Sequence, residues 1–185
     1  MKKACVFFAD GTEEVEGLMA VDMLRRGGVD VTTVSVMGRP WILSSHGIEM
    51  KTDQLFEDMD FEDQDLLVLP GGLPGADHLR RHSGLCKILR RFNEEKKYVA
   101  AICAAPGILA ELGFLDGKKA TCHTCRRELL KEKGAICQNA PVVCDGKIIT
   151  GSGVGGALDF SLRLVEILSG KEKADEIRQA ILYTT

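Results

Sequence analysis

Apolar runs and helical periodicities alternate along the chain almost from its first residue. Residues 4–9 form a continuous apolar run of the kind a fully buried strand requires. Residues 13–26 follow, where Gly17, Ala20, Val21 and Leu24 share one helical face small enough to lie close on a sheet, and Gly27-Gly28 stops the helix. A second strand is predicted over residues 29–36, a short hairpin-like excursion containing Gly47 over residues 41–51, and a buried strand over Leu66–Leu69, closed by Pro70-Gly71-Gly72. Residues 83–96 read as a helix with Leu85, Ile88, Leu89 and Phe92 inward. Tyr98–Ile102 is apolar and β-compatible, and Pro106 then opens an apolar helical run that ends at Gly113. A short helix is predicted over residues 126–133, and a hairpin with residues 141–144 and 147–150 flanking Asp145-Gly146. Residues 157–168 are apolar nearly all round, which predicts a helix buried on both sides, and residues 172–180 form a final helix.

Strand–helix alternation of this kind predicts an α/β fold: a mainly parallel sheet with helices on both faces. No long linker, low-complexity tract or repeat interrupts residues 1–185, so one domain is expected. Ligands of such sheets bind outside the carboxyl ends of the strands. Residues 10–16, 70–75 and 103–107 leave strands at that edge, with the glycine-rich residues 151–156 as a fourth candidate.

Composition narrows the function. The formal net charge is -3, with both signs scattered and no basic stripe, which disfavours nucleic acid and anionic membranes as partners. No apolar stretch is long enough to span a bilayer, and the first residues enter a strand rather than a signal peptide, so a cytoplasmic protein is expected. Seven cysteines without a signal make structural disulfides an unfavoured reading and leave metal, redox chemistry or burial.

Cys103 is the strongest candidate. It stands on a sharp turn between a buried strand and a helix start, where free N–H groups favour thiolate over thiol. A buried Cys acting as a small hydrophobe is the competing reading. Glu13, Glu14 and Glu16 open the first helix, where acids complement the helix dipole; if Glu16 instead turns inward toward Cys103, its pKa would rise and it could move protons. The N–H groups of the Gly71-Gly72 turn and of Ala104 could face a developing oxyanion. Cys122-His123-Thr124-Cys125 has spacing that suits zinc or a redox dithiol, with Cys137 and Cys144 as further ligands, but a surface turn is the simpler reading. His46, His78 and His82 read as solvated.

Four motifs in order make the chain resemble the DJ-1/PfpI (ThiJ/PfpI) superfamily, in its DJ-1-like branch. They are residues 10–16 (Asp-Gly-Thr-Glu-Glu-Val-Glu), 68–72 (Val-Leu-Pro-Gly-Gly), 100–106 (Ala-Ala-Ile-Cys-Ala-Ala-Pro), and the glycine loop with Asp159-Phe160. The resemblance implies a flavodoxin-like three-layer α/β sandwich and a homodimer. It matches Cys103 to the reactive cysteine, Glu16 to the glutamate beside it, Gly72 and Ala104 to the backbone N–H donors, and His123 to a histidine near the site. It further implies a cofactor-free, metal-free glyoxalase or deglycase acting on small dicarbonyls such as methylglyoxal; the alternative is an oxidative-stress sensor or chaperone with an oxidisable Cys103. The peptidase-like branch carries a His directly after the cysteine, where Ala104 stands here, and glutamine amidotransferases need a late His-x-Glu, whereas no His follows His123. His46 stands where close relatives have an arginine, and Thr124 where the family often has proline after the histidine.

Overall fold

The computed structural model describes residues 1–183. In chain order the elements are β1 (Lys3–Phe8), α1 (Glu14–Arg26), β2 (Asp30–Ser35), β3 (Trp41–Leu43), β4 (Glu49–Lys51), β5 (Gln54–Leu55), β6 (Leu66–Leu69), α2 (Gly75–Arg81), α3 (Ser83–Glu94), β7 (Tyr98–Ile102) and α4 (Pro106–Glu111). Then come β8 (Lys119–Ala120), α5 (Arg127–Glu132), β9 (Ile136–Cys137), β10 (Val142–Asp145), β11 (Ile148–Gly151), α6 (Ala157–Ser169) and α7 (Lys171–Ala180). Seven strands form the main sheet in the order β10-β11-β7-β6-β1-β2-β5, parallel throughout except for β10, which pairs antiparallel with β11. The expected mainly parallel α/β architecture is the one observed.

Period-two alternation sorts the central strands into two cores. From β1, β6 and β7, the side chains of Cys5, Phe7, Leu67, Leu69, Val99 and Ala101 join residues of α2, α3, α4 and α5 on one face. Ala4, Val6, Phe8, Leu66, Val68, Ala100 and Ile102 join α1, α6 and α7 on the other. Both faces are therefore covered, which is why these strands read as unbroken apolar runs. Arg163 is the one exposed residue within α6, in keeping with a helix that is apolar nearly all round. Gly17 sets how closely α1 lies on the sheet: a methyl there would stand 2.6 Å from the Phe8 ring, so only glycine fits without displacing a fully buried aromatic.

Four elements are absent from the sequence reading. The short α2 carries only two inward apolar residues, Ala76 and Leu79, and follows a Pro-Gly turn, so it leaves little periodic signal. The strands β5, β8 and β9 are two residues each, too short for any alternation to register. Residues 41–51 do form the expected hairpin, with β3 and β4 antiparallel.

Because β1, β6, β7 and β11 run parallel, their carboxyl ends fall on one edge of the sheet. The four segments that leave there (9–13, 70–74, 103–105 and 152–156) are thereby brought together.

Candidate active site

Cys103 begins the turn out of β7 with φ +63°, a conformation that a side-chain-bearing residue adopts at a cost and that recurs at functional turns. The turn is held by its neighbours: the Cys103 N–H donates to the Gly151 carbonyl at 3.0 Å, and the Ala105 N–H to the Ile102 carbonyl at 3.0 Å. The six-residue α4 follows, with Pro106 in its first turn. This geometry aims the Ala104 N–H, together with the Gly72 N–H from the neighbouring loop, at the Cys103 sulfur.

The three acids at the start of α1 have separate fates. Glu13 is the helix cap, its Oε2 accepting from the Glu16 N–H at 2.7 Å. Glu14 faces the hairpin, where its Oε1 pairs with His46 Nδ1 at 2.7 Å. Burial opposes the Glu14 charge, but hydrogen bonds from its own N–H, Ser44 and His46 hold the carboxyl below its ordinary value. Glu16 turns inward, 1% exposed, and its Oε2 accepts the Gly71 N–H at 2.9 Å. Its Oε1 is buried with no partner of ordinary hydrogen-bond geometry.

Gly71 is the spacer that lets this happen. A Cβ on it would lie 2.6 Å from Cys103 Cβ and 2.6 Å from Glu16 Oε2, so the acid, the thiol and the Gly71 backbone occupy one tight space. The loop is locked from below as well, since the Glu13 N–H donates to the Gly71 carbonyl at 3.0 Å.

Burial and proximity shape the electrostatics. Burial pushes the Glu16 carboxyl from 4.5 to about 7, against the hydrogen bonds from the Cys103 thiol and the Gly71 N–H. Burial also pushes the Cys103 thiol to about 12, reinforced by the Glu16 charge and by its hydrogen bond to Glu16, while the N–H groups of Gly72 and Ala104 pull the other way. The helix-start argument predicts a ready thiolate; here the desolvation and the acid next door outweigh the backbone donors. Below about pH 7 acid and thiol each keep a proton, above it the pair keeps one, and the titration belongs to both groups.

His123 is exposed at the rim. Its N–H donates to the Cys103 carbonyl at 2.8 Å, and its Nδ1 accepts the Cys125 N–H at 3.3 Å, which leaves the proton of the neutral ring on Nε2. The ring and the Cys103 sulfur both approach Gly153: a Cβ there would lie 3.8 Å from His123 Cδ2 and 3.9 Å from Cys103 Sγ. The structure thus brings Cys103, Glu16, Gly72 and Ala104 together and places His123 beside them, without a hydrogen bond from its ring to Cys103 or Glu16. A cavity of about 570 Å³ lies beside His123, lined by Cys122, Thr124, Arg127, Ser152 and Gly153 among others, with neither Cys103 nor Glu16 in its wall. The zinc reading of Cys122, His123 and Cys125 finds no geometric support: among the described residues, the one group of three potential ligand atoms within 4.8 Å of one another is Glu13, Glu14 and His46. Gly71 is the functional position that the sequence reading assigned only loosely; the Gly-Gly dipeptide marks the turn but not which N–H serves the acid and which the sulfur.

The raised Glu16 pKa carries a stability consequence with a definite sign. Folding holds the proton on Glu16 up to about pH 7, whereas the unfolded chain releases it near 4.5, so this contribution is full below 4.5 and is lost as pH rises through 7. A displacement of that size corresponds to roughly 3 kcal/mol. Glu16→Gln, which has no such ionisation, is expected to gain stability over the wild type between pH 5 and pH 8 by an amount on that order, read from urea unfolding at the two pH values. A stability difference that stays constant across the range would contradict the buried-acid assignment.

Comparison with known proteins identifies the family. The DJ-1/PfpI family model matches residues 2–167. The chain is 42% identical over 180 residues to protein DJ-1 homolog B of Arabidopsis thaliana, covering 95% of this chain but 40% of that longer protein. It is 29% identical over 168 residues to the Caenorhabditis elegans protein named glutathione-independent glyoxalase DJR-1.2, covering 91% of this chain and 89% of the other. The solved structure of oxidized DJ-1 from Toxoplasma gondii superposes with a TM-score of 0.94 at 33% identity, covering 100% of both chains. The chain belongs to the DJ-1/PfpI family.

Proposed function

We propose that the protein is a cysteine-dependent, cofactor-free glyoxalase-type enzyme acting on small dicarbonyls of the methylglyoxal kind or on their adducts. The observation that carries this reading is the buried contact of the Glu16 carboxyl with the Cys103 thiol beneath the N–H groups of Gly72 and Ala104. A relative named as a glutathione-independent glyoxalase supports the choice of substrate class.

The chemistry follows from the pair. The Glu16 carboxylate takes the thiol proton as Cys103 Sγ adds to the aldehyde carbon; a C–S bond forms and the carbonyl π pair moves to oxygen. The Gly72 and Ala104 N–H groups hold that oxygen while it is anionic, and Glu16 returns the proton to it. The proton of the former aldehyde carbon passes to the adjacent carbonyl carbon while the hydroxyl proton passes to the adjacent carbonyl oxygen, which converts the adduct to a thioester. Water then cleaves the thioester to a hydroxy acid and the free thiol. One carbon is oxidised and its neighbour reduced, so no external oxidant or reductant is consumed. A base of pKa about 7 is matched to proton transfers in both directions near neutrality.

A second reading, an oxidisable sensor, draws on the same protonatable neighbour: a protonated Glu16 can donate to a sulfur oxide, and the Toxoplasma gondii relative is described in an oxidized form. Turnover separates the two. Wild-type protein is expected to convert methylglyoxal to lactate, Cys103→Ser to show nothing above the buffer blank, and Glu16→Gln to lose about 10²–10⁴-fold in kcat/KM. Equal rates for wild type and Cys103→Ser would remove the enzyme reading.

The proposal includes a homodimer in the cytoplasm. Val15 and Leu18 on the outer side of α1, and Leu43 and Ile48 of the β3–β4 hairpin, are exposed apolar side chains. The hairpin is tied to the start of α1 by the Ser45 N–H on the Thr12 carbonyl at 2.9 Å, which joins the two groups into one surface. Light scattering at micromolar concentration is expected to give twice the chain mass; a monomer mass would reject this surface as a self-association face.

A further inference from the structure

The carbonyl chemistry makes no use of the cavity of about 570 Å³ beside His123, a volume within the roughly 300–1,000 Å³ span of small-molecule sites. Two residues of its wall adjoin Cys103. The His123 N–H donates to the Cys103 carbonyl at 2.8 Å, and a Cβ on Gly153 would lie 3.9 Å from Cys103 Sγ. Gly153 thus belongs both to the cavity wall and to the surroundings of the sulfur, with no side chain to part them.

The charge of this wall is one-sided. Arg127, the half-buried first residue of α5, is its one permanently charged side chain; among the described residues neither an acid nor a lysine lines the cavity. No carboxylate among the described residues pairs with Arg127, and its charged neighbours are engaged elsewhere: Arg126 with Asp77 at 2.8 Å, and Glu128 with Lys131 at 2.7 Å. Asn139 Oδ1 accepts one Arg127 N–H at 2.5 Å, which orients the guanidinium and leaves most of its donors unused. The glycine loop contributes to the same wall. The N–H groups of Gly153, Val154 and Gly155 meet no acceptor among the described residues. A half-buried cation without a counter-ion, beside unused backbone N–H groups, favours an anion. One guanidinium with no second cation matches the single charge of a carboxylate rather than a phosphate dianion.

We propose that this cavity is a carboxylate subsite, in which Arg127 holds the far end of an α-oxoaldehyde while Cys103 takes the aldehyde. The assignment rests on the glyoxalase reading for the reacting end only. It makes the preferred substrate a dicarbonyl that bears a carboxylate; methylglyoxal has no group with which to engage Arg127. The product of such a substrate is a hydroxy acid with a second carboxylate at its far end.

Two substrates that differ only at that end test it: carboxyethylglyoxal, and propylglyoxal, in which a methyl replaces the carboxylate. The wild type is expected to favour carboxyethylglyoxal in kcat/KM. Arg127→Gln is expected to cut that preference about 10–100-fold, the effect of losing one charge-assisted contact, mainly through KM. Propylglyoxal turnover in the same sample reports on folding. Binding is read separately in Cys103→Ser by amide NMR with levulinate, which keeps the ketone and the carboxylate but has no aldehyde. The amides of Gly153, Val154 and Gly155 and the Arg127 Nε–H should shift saturably with levulinate, but not with methyl propyl ketone and not once Arg127→Gln is added. Levulinate binding without turnover of either glyoxal would uphold the subsite and reject the glyoxalase reading alone. Equal kcat/KM for the two glyoxals, levulinate binding undiminished by Arg127→Gln, or tighter binding of inorganic phosphate than of levulinate would overturn the subsite.

Discussion

Everything at the carboxyl edge of the sheet is arranged around one unfavourable burial, that of the Glu16 carboxyl against the Cys103 thiol. Neither anion is comfortable there. Desolvation raises both groups, and the Glu16 charge raises the thiol further. The Cys103 thiol and the Gly71 N–H oppose this on the acid, and the Gly72 and Ala104 N–H groups oppose it on the sulfur. These donors are fixed by the fold and need no reorganisation when charge moves, which is the condition under which such groups stabilise a transition state most. On the proposed mechanism the acid of this pair is the group that moves the proton between sulfur and substrate.

The rest of the fold serves this contact. Parallel strands deliver the Cys103 turn, the Gly71-Gly72 turn and the first turn of α1 to the same edge. Gly17 lets α1 lie against Phe8, and the absence of a side chain at Gly71 lets acid and thiol meet across it. Glu13 and Glu14 show how finely position decides role in one helical turn: the first caps the helix, the second pairs with His46 at the surface, and the third, Glu16, is driven inside.

Much of this was legible before the structure. Long apolar strands and the α1 and α3 periodicities announced the layers, and the small residues around Cys103 announced the turn. Glu16 was legible only as a possibility, because three acids in a first turn look alike until helix phase and neighbours are known. The elevated Cys103 thiol was not legible: the helix-start argument counts the donors, and the desolvation and adjacent acid that outweigh them exist only in three dimensions. The short strands β5, β8 and β9 were invisible because two residues carry no period.

The protonation state of Glu16 is the most direct test of this account, and infrared difference spectroscopy reads it. A carboxylic-acid C=O band missing from Glu16→Gln should persist in the wild type above pH 5, where ordinary glutamates are ionised, and should disappear as pH rises through about 7. Loss of that band near pH 4.5, or spectra identical in wild type and Glu16→Gln above pH 5, would mean that the acid beside Cys103 is an ordinary carboxylate.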